Sequence, residues 1–131
     1  MRIPRSIWVV CLLMLALVAG CTPNAANTPE AAVKSALRLV QANDYESLIS
    51  QFMQPDMLAR RIKSQGSLEK VAKSVELSTS RDMVLGLMEA TNSAPQYSED
   101  GIRAVFELSN PALDEYHLTF IKIGDRWYIE D

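Results

Sequence analysis

Thiols and imidazoles are scarce in this chain. Its 131 residues include two cysteines, Cys11 and Cys21, and a single histidine, His117. Three or four such side chains are needed for an ordinary zinc site. The reading therefore assigns no metal and no cofactor, and no Ser or Cys nucleophile can be tied to His117. An excess of basic residues is missing as well. Lys and Arg number 13 against 16 Asp and Glu, for a net charge of −3. Nucleic-acid affinity rests on neutralising phosphates, so a mildly acidic chain argues against a DNA or RNA partner. It also argues against a basic patch docking on anionic lipid. No internal repeat, second domain boundary or extended low-complexity tract is present. Finally, the longest apolar run covers residues 7–18, short of the roughly 20 residues that a membrane-spanning helix needs.

That run is informative for another reason. Arg2 and Arg5 precede it, and the small residues Ala19 and Gly20 follow. Positive, apolar, then small is the layout of an export signal, with residues 1–20 removed from the mature chain. Removal leaves 111 residues with 11 basic and 16 acidic side chains, a net charge of −5. This length supports one modest core. Cys11 leaves with the signal, so Cys21 is the sole remaining thiol and cannot close an internal disulfide.

Leu17-Val18-Ala19-Gly20-Cys21 resembles the bacterial lipobox. The resemblance implies that diacylglycerol is attached to the Cys21 sulfur and that the chain is cut between Gly20 and Cys21. An acyl chain such as palmitate then joins the new amino group. A thiolate is the strong nucleophile such an alkylation requires, and two or more acyl chains give stable anchoring. An ordinary secretory signal cut at these small residues and an uncleaved anchor are the competing readings. Thr22 follows the cysteine where enterobacterial lipoproteins kept at the inner membrane carry Asp. The resemblance thus implies a periplasm-facing anchor in the outer membrane.

Residues 21–28 read as a flexible tether, small and polar after Cys21. Residues 29–131 read as one domain. Thr28 can cap a helix that starts with Pro29 and Glu30 and repeats Val33, Ala36, Leu37 and Val40 at helical spacing. Asn43 suits a left-handed end position, and Asp44 caps a second helix carrying Tyr45, Leu48, Ile49 and Phe52. Pro55 and Asp56 open a third helix with Leu58 and Ile62 inward, and Gly66 ends it. Ser67 caps a fourth, with Leu68, Val71, Ala72 and Val75 on one face. Residues 78–80 (Ser-Thr-Ser) read as a break before a last helix over residues 82–90, which Gly86 weakens. The period then changes to two. Ile102, Ala104, Phe106 and Leu108 form one strand, Tyr116, Leu118 and Phe120 a second, and residues 126–130 a third. Residues 93–97 can add a short one. Asn110-Pro111 and Gly124-Asp125 supply turns. Helices first and a short-looped meander second predict an α+β domain, with N-terminal helices packed on a curved antiparallel sheet of three to four strands.

Pro29-Glu30-Ala31-Ala32, Asn43-Asp44-Tyr45 and the closing stretch from Lys122 through Gly124 and Trp127 to Ile129 together resemble small bacterial lipoproteins of unknown function. Those have a cystatin-like or nuclear transport factor 2-like fold, in which helices fill the concave side of the sheet. The resemblance implies the same fold here. No catalytic residue carries over, because no position of this chain matches the acid–base residues of enzymes with that fold.

Few candidate sites remain. His117, preceded by Asp114 and Glu115, could serve as an acid or base, although a structural or solvent-facing histidine is the plainer reading. Trp127 and Tyr128 point to opposite faces of the last strand, one into the core and the other free to line a pocket or meet a partner. Met53, Met57, Met83 and Met88 read as core fillers. Arg60, Arg61, Lys63, Lys70 and Lys73 read as a wet helical face, and the acidic C-terminal half could attract them. The expectation is a membrane-anchored, non-catalytic envelope domain that binds an envelope protein or a small ligand through its sheet concavity. The alternatives are a small enzyme using His117 and a structural envelope component.

Overall fold

The computed structural model describes residues 26–113 and 117–130, apart from the side chains of residues 79 and 80. The export signal, Gly20 and Cys21, Asp114, Glu115 and Tyr116, and Asp131 lie outside the described residues. Within them the order is α1 (Pro29–Gln41), α2 (Tyr45–Phe52), α3 (Pro55–Gln65) and α4 (Leu68–Ala90). The strands β1 (Gln96–Tyr97), β2 (Arg103–Glu107), β3 (His117–Ile123) and β4 (Arg126–Glu130) follow.

Local chemistry sets the helix ends. Thr28 Oγ1 accepts the Ala31 N–H at 3.1 Å, Asp44 Oδ1 accepts that of Ser47 at 3.2 Å, and Ser67 Oγ accepts that of Lys70 at 3.2 Å. Each bond satisfies one of the donors that a helix start leaves open, worth about 1 kcal/mol. Asn43, with φ 56°, turns the chain between α1 and α2, and Gly66, with φ 101°, ends α3. Both lie in the left-handed region where Gly and Asn cost least.

The structure differs from the sequence reading in α4. Where a break at residues 78–80 separates two helices in that reading, a single 23-residue helix runs through. Ser78 Oγ bonds back to the Ser74 carbonyl at 2.9 Å, which satisfies the hydroxyl inside the helix. Without Pro or Gly at this point, nothing in the backbone forces a stop.

The sheet is an open antiparallel meander in the order β1-β2-β3-β4. The register places Ala104 opposite Tyr97 and Phe120, Phe120 opposite Ile129, and Lys122 opposite Trp127. Alternation then puts Ala104, Phe106, Phe120 and Trp127 on the face that the helices cover, and all four are buried. Phe106 and Phe120 meet edge to face, with ring centroids 6.0 Å apart. Phe52, Val33, Val40, Val71 and Leu87 close over them from the helices. Burying side chains of this size stabilises by about 1.5–3 kcal/mol each. Met88 stands apart from its expected role as core filler: it is exposed, on the wet side of α4, whereas Met53 and Met83 pack at the core margin.

Two segments cover the outer edge of β4. Met53 forms a parallel bridge to Ile129, and the Ala26 carbonyl accepts the Trp127 N–H at 2.9 Å. Ala26 is itself fully buried. Among the described residues, the packed body thus includes Ala26, which falls in the stretch 21–28 expected to be a tether. The physical reason is the open N–H of an edge strand, which needs an acceptor.

Candidate functional site

The sequence-derived candidates do not meet. His117 opens β3 and is exposed, with Glu107 of β2 directly opposite it. Alternation puts both on the outer face of the sheet, the face that the helices leave uncovered. Trp127 is on the other face, buried, its ring edge to face with Tyr97 at 6.2 Å. Tyr128 returns to the outer face, half-buried, with the Arg126 guanidinium 5.9 Å from its ring centre. Trp127 and Tyr128 thus divide as strand alternation requires, and Trp127 is the core member. His117 lies five strand positions from Lys122, the residue opposite Trp127, which is about 17 Å at a strand's rise per residue.

The concave side of the sheet is filled. Phe106 and Phe120 are 0 % exposed beneath Phe52 and Leu87, so this region is packed core. A cleft of about 640 Å³ lies elsewhere, between the start of α2 and the first turns of α4. Asp44, Glu46, Glu69 and Glu76 share it with Lys70 and Lys73. Either sign of ionic ligand would meet a like charge there, and the Asp44 carboxylate already caps α2. Among the described residues, no three His, Cys, Asp or Glu side chains gather where a metal ion could sit. Among them, too, no helix is long and apolar enough to cross a membrane.

Sequence reasoning missed two polar arrangements. The Glu89 carboxylate, near the end of α4, accepts the Ser109 N–H, the Ser109 hydroxyl at 2.6 Å and the Asn110 N–H at 3.1 Å. These bonds, led by that of the Ser109 hydroxyl, hold the Glu89 pKa below its ordinary value. They clamp the helix to the chain leaving β2. In the turn between β1 and β2, Asp100 accepts from the Ser98 hydroxyl at 2.5 Å and from the Ile102 N–H at 3.2 Å, and its pKa is lowered in the same way. Both partners of Asp100 lie within two residues, so an Asx-type turn was legible in Ser98-Glu99-Asp100-Gly101. Nothing local announces the Glu89 contacts. The ion pair Arg103–Glu130, with Nε and Oε2 3.0 Å apart, joins β2 to β4 across the outer face. It lies within the acidic half and does not connect the two halves of the chain.

The molecule is an α+β domain: four described helices on a four-stranded open antiparallel sheet. Comparison with protein-family models, with curated proteins and with solved structures gives no match for this chain.

Proposed function

We propose that this chain is a lipid-anchored lipoprotein of the bacterial envelope, whose folded body binds an envelope partner without catalysis. The lipobox Leu17-Val18-Ala19-Gly20-Cys21 carries the proposal, placed after a positive and apolar export signal at the only thiol the mature chain keeps. Thr22 supports the outer membrane, with the body facing the periplasm. A cystatin-like or nuclear transport factor 2-like assignment for the body is part of the same proposal. It is supported by Pro29-Glu30-Ala31-Ala32 at the first helix and by Gly124 to Trp127 at the last hairpin.

The packed concave side favours a partner that docks on the outside over a small ligand enclosed within the sheet. The exposed position of His117 lends no support to the enzyme alternative.

Intact-mass analysis of protein purified from membranes tests the anchor. The mature chain should begin at Cys21 and carry the added mass of diacylglycerol and an acyl group. Cys21→Ser should leave the protein unprocessed or free of the membrane after fractionation. Unchanged membrane attachment of that variant refutes the proposal.

A further inference from the structure

We propose that the end of the sheet bearing the β1–β2 and β3–β4 turns rests on the lipid bilayer, with Ile102 and Ile123 as its apolar contact. The inference rests on the lipidation of Cys21 proposed above, and adds which surface that anchor presses against the membrane.

The first argument is length. Ala26 is 0 % exposed and its carbonyl is held by the Trp127 N–H at 2.9 Å, so the body grips the chain at a defined point. Ala26 is five Cα–Cα steps from Cys21, a reach of at most about 18 Å at full extension. Whatever surface lies beside Ala26 must therefore lie close to the acyl chains.

The register identifies that surface. Ala26 bonds to Trp127, Trp127 lies opposite Lys122, and the Lys122 N–H donates to the Ile102 carbonyl at 2.7 Å. These four residues form one row across the sheet, about 14 Å wide at the usual strand spacing. Just beyond the row the chain reverses, at Gly124-Asp125 and at residues 98–101. The anchor point and both turns share one end of the sheet.

That end is also where apolar side chains are left in solvent. Five large apolar side chains are exposed among the described residues. Three of them, Tyr97, Ile102 and Ile123, lie in the last rows at this end, while Leu77 and Met88 are on α4. Ile102 is 38 % exposed and Ile123 40 %. Two isoleucines would be a weak membrane contact for a free protein. For a body already tied to the bilayer the contact is intramolecular and a small preference suffices. The nearby charges give the contact its character. Glu99, Asp100 and Asp125 are matched at this end by Arg103, Lys122 and Arg126, so it carries no net positive charge and attraction to anionic headgroups does not drive the contact. The contact is apolar, and screening by salt does not weaken it.

Cys21 is thioether-linked in the lipidated protein, so a second cysteine can be labelled selectively. The full chain, produced and processed in bacteria with Asp125→Cys or Glu107→Cys, would carry a fluorophore at that site. It would be reconstituted into phosphatidylethanolamine–phosphatidylglycerol vesicles containing a headgroup-nitroxide lipid. Quenching should be about twofold or more stronger at residue 125 than at residue 107, because the latter lies near the far end of its strand. It should persist at high salt, and Ile102→Ser with Ile123→Ser should reduce it at residue 125. Equal quenching at both sites overturns the proposal. Loss at high salt, or no effect of the isoleucine substitutions, overturns the apolar contact. A mass spectrum of the same sample separates the two levels of inference. A lipidated protein with equal quenching refutes only the docking. A protein without the diacyl mass refutes the anchor, and the docking with it.

Discussion

Glu89 shows how one half-buried carboxylate can hold two elements together. It accepts three donors from Ser109 and Asn110, and these bonds favour its charged form, so its pKa lies below the ordinary carboxylate value. The sign of the pH effect follows from that depression. The unfolded chain binds a proton at Glu89 more readily than the folded one. The stabilisation is complete above the unfolded value near 4.5 and is lost as pH falls through the lower folded value. Urea unfolding midpoints measured across the acid range should therefore fall for the wild type, and fall less steeply for Glu89→Gln. Parallel acid limbs in the two proteins would show that these bonds do not contribute. Residues differ in how readily their roles can be read. The caps Thr28, Asp44 and Ser67 bond to N–H groups three residues on, so their role is visible in any short window of sequence. Glu89 bonds to residues 20 and 21 positions away, and only folding selects those partners.

Among the elements, α4 departs furthest from its local sequence pattern. A Ser-Thr-Ser run next to Arg81 and Asp82 has the composition of a break, because short hydroxyl side chains compete for backbone groups. The helix persists because Ser78 can meet that need by bonding to Ser74 within the helix. Gly86 is the weak point that remains. A methyl group added there would sit 3.6 Å from Leu108 Cδ1, an ordinary contact, and this glycine does not have positive φ. Gly86→Ala should then raise stability by about 0.5–1 kcal/mol, by reducing the freedom of the unfolded chain. Thermal or urea melts would register the gain. A loss instead would mean that α4 packs on the chain after β2 too tightly to accept a methyl. The strands were easier to read than this helix. Ala104, Phe106 and Leu108 alternate with exposed or half-buried residues at period two, and the structure buries all three. Ile102 continues the same alternation yet is exposed, because it sits at the sheet's end, beyond the cover of the helices.

At the scale of the whole molecule, the chain just before α1 is part of the folded body through Ala26. A chain beginning at residue 28 would lack the Ala26 carbonyl and leave the Trp127 N–H on an open edge. It should be less stable than a chain beginning at residue 22 by about 1 kcal/mol or more, measurable by comparing their melting curves. Equal stability would show that water replaces that acceptor without cost. The sequence alone determined what depends on neighbours along the chain. That covers the helix caps, the turn at Gly124-Asp125 and the change from helical to strand period. Together these were enough for an α+β domain of helices followed by a meander. Tertiary structure alone decided what depends on contacts distant in sequence. It filled the concave side with Phe106 and Phe120, separated His117 from Trp127, and drew Ala26 onto the edge of β4. The reason is physical: periodicity reports which face of an element is apolar, whereas the depth of a cavity and the fate of an edge depend on which distant residues arrive to cover them.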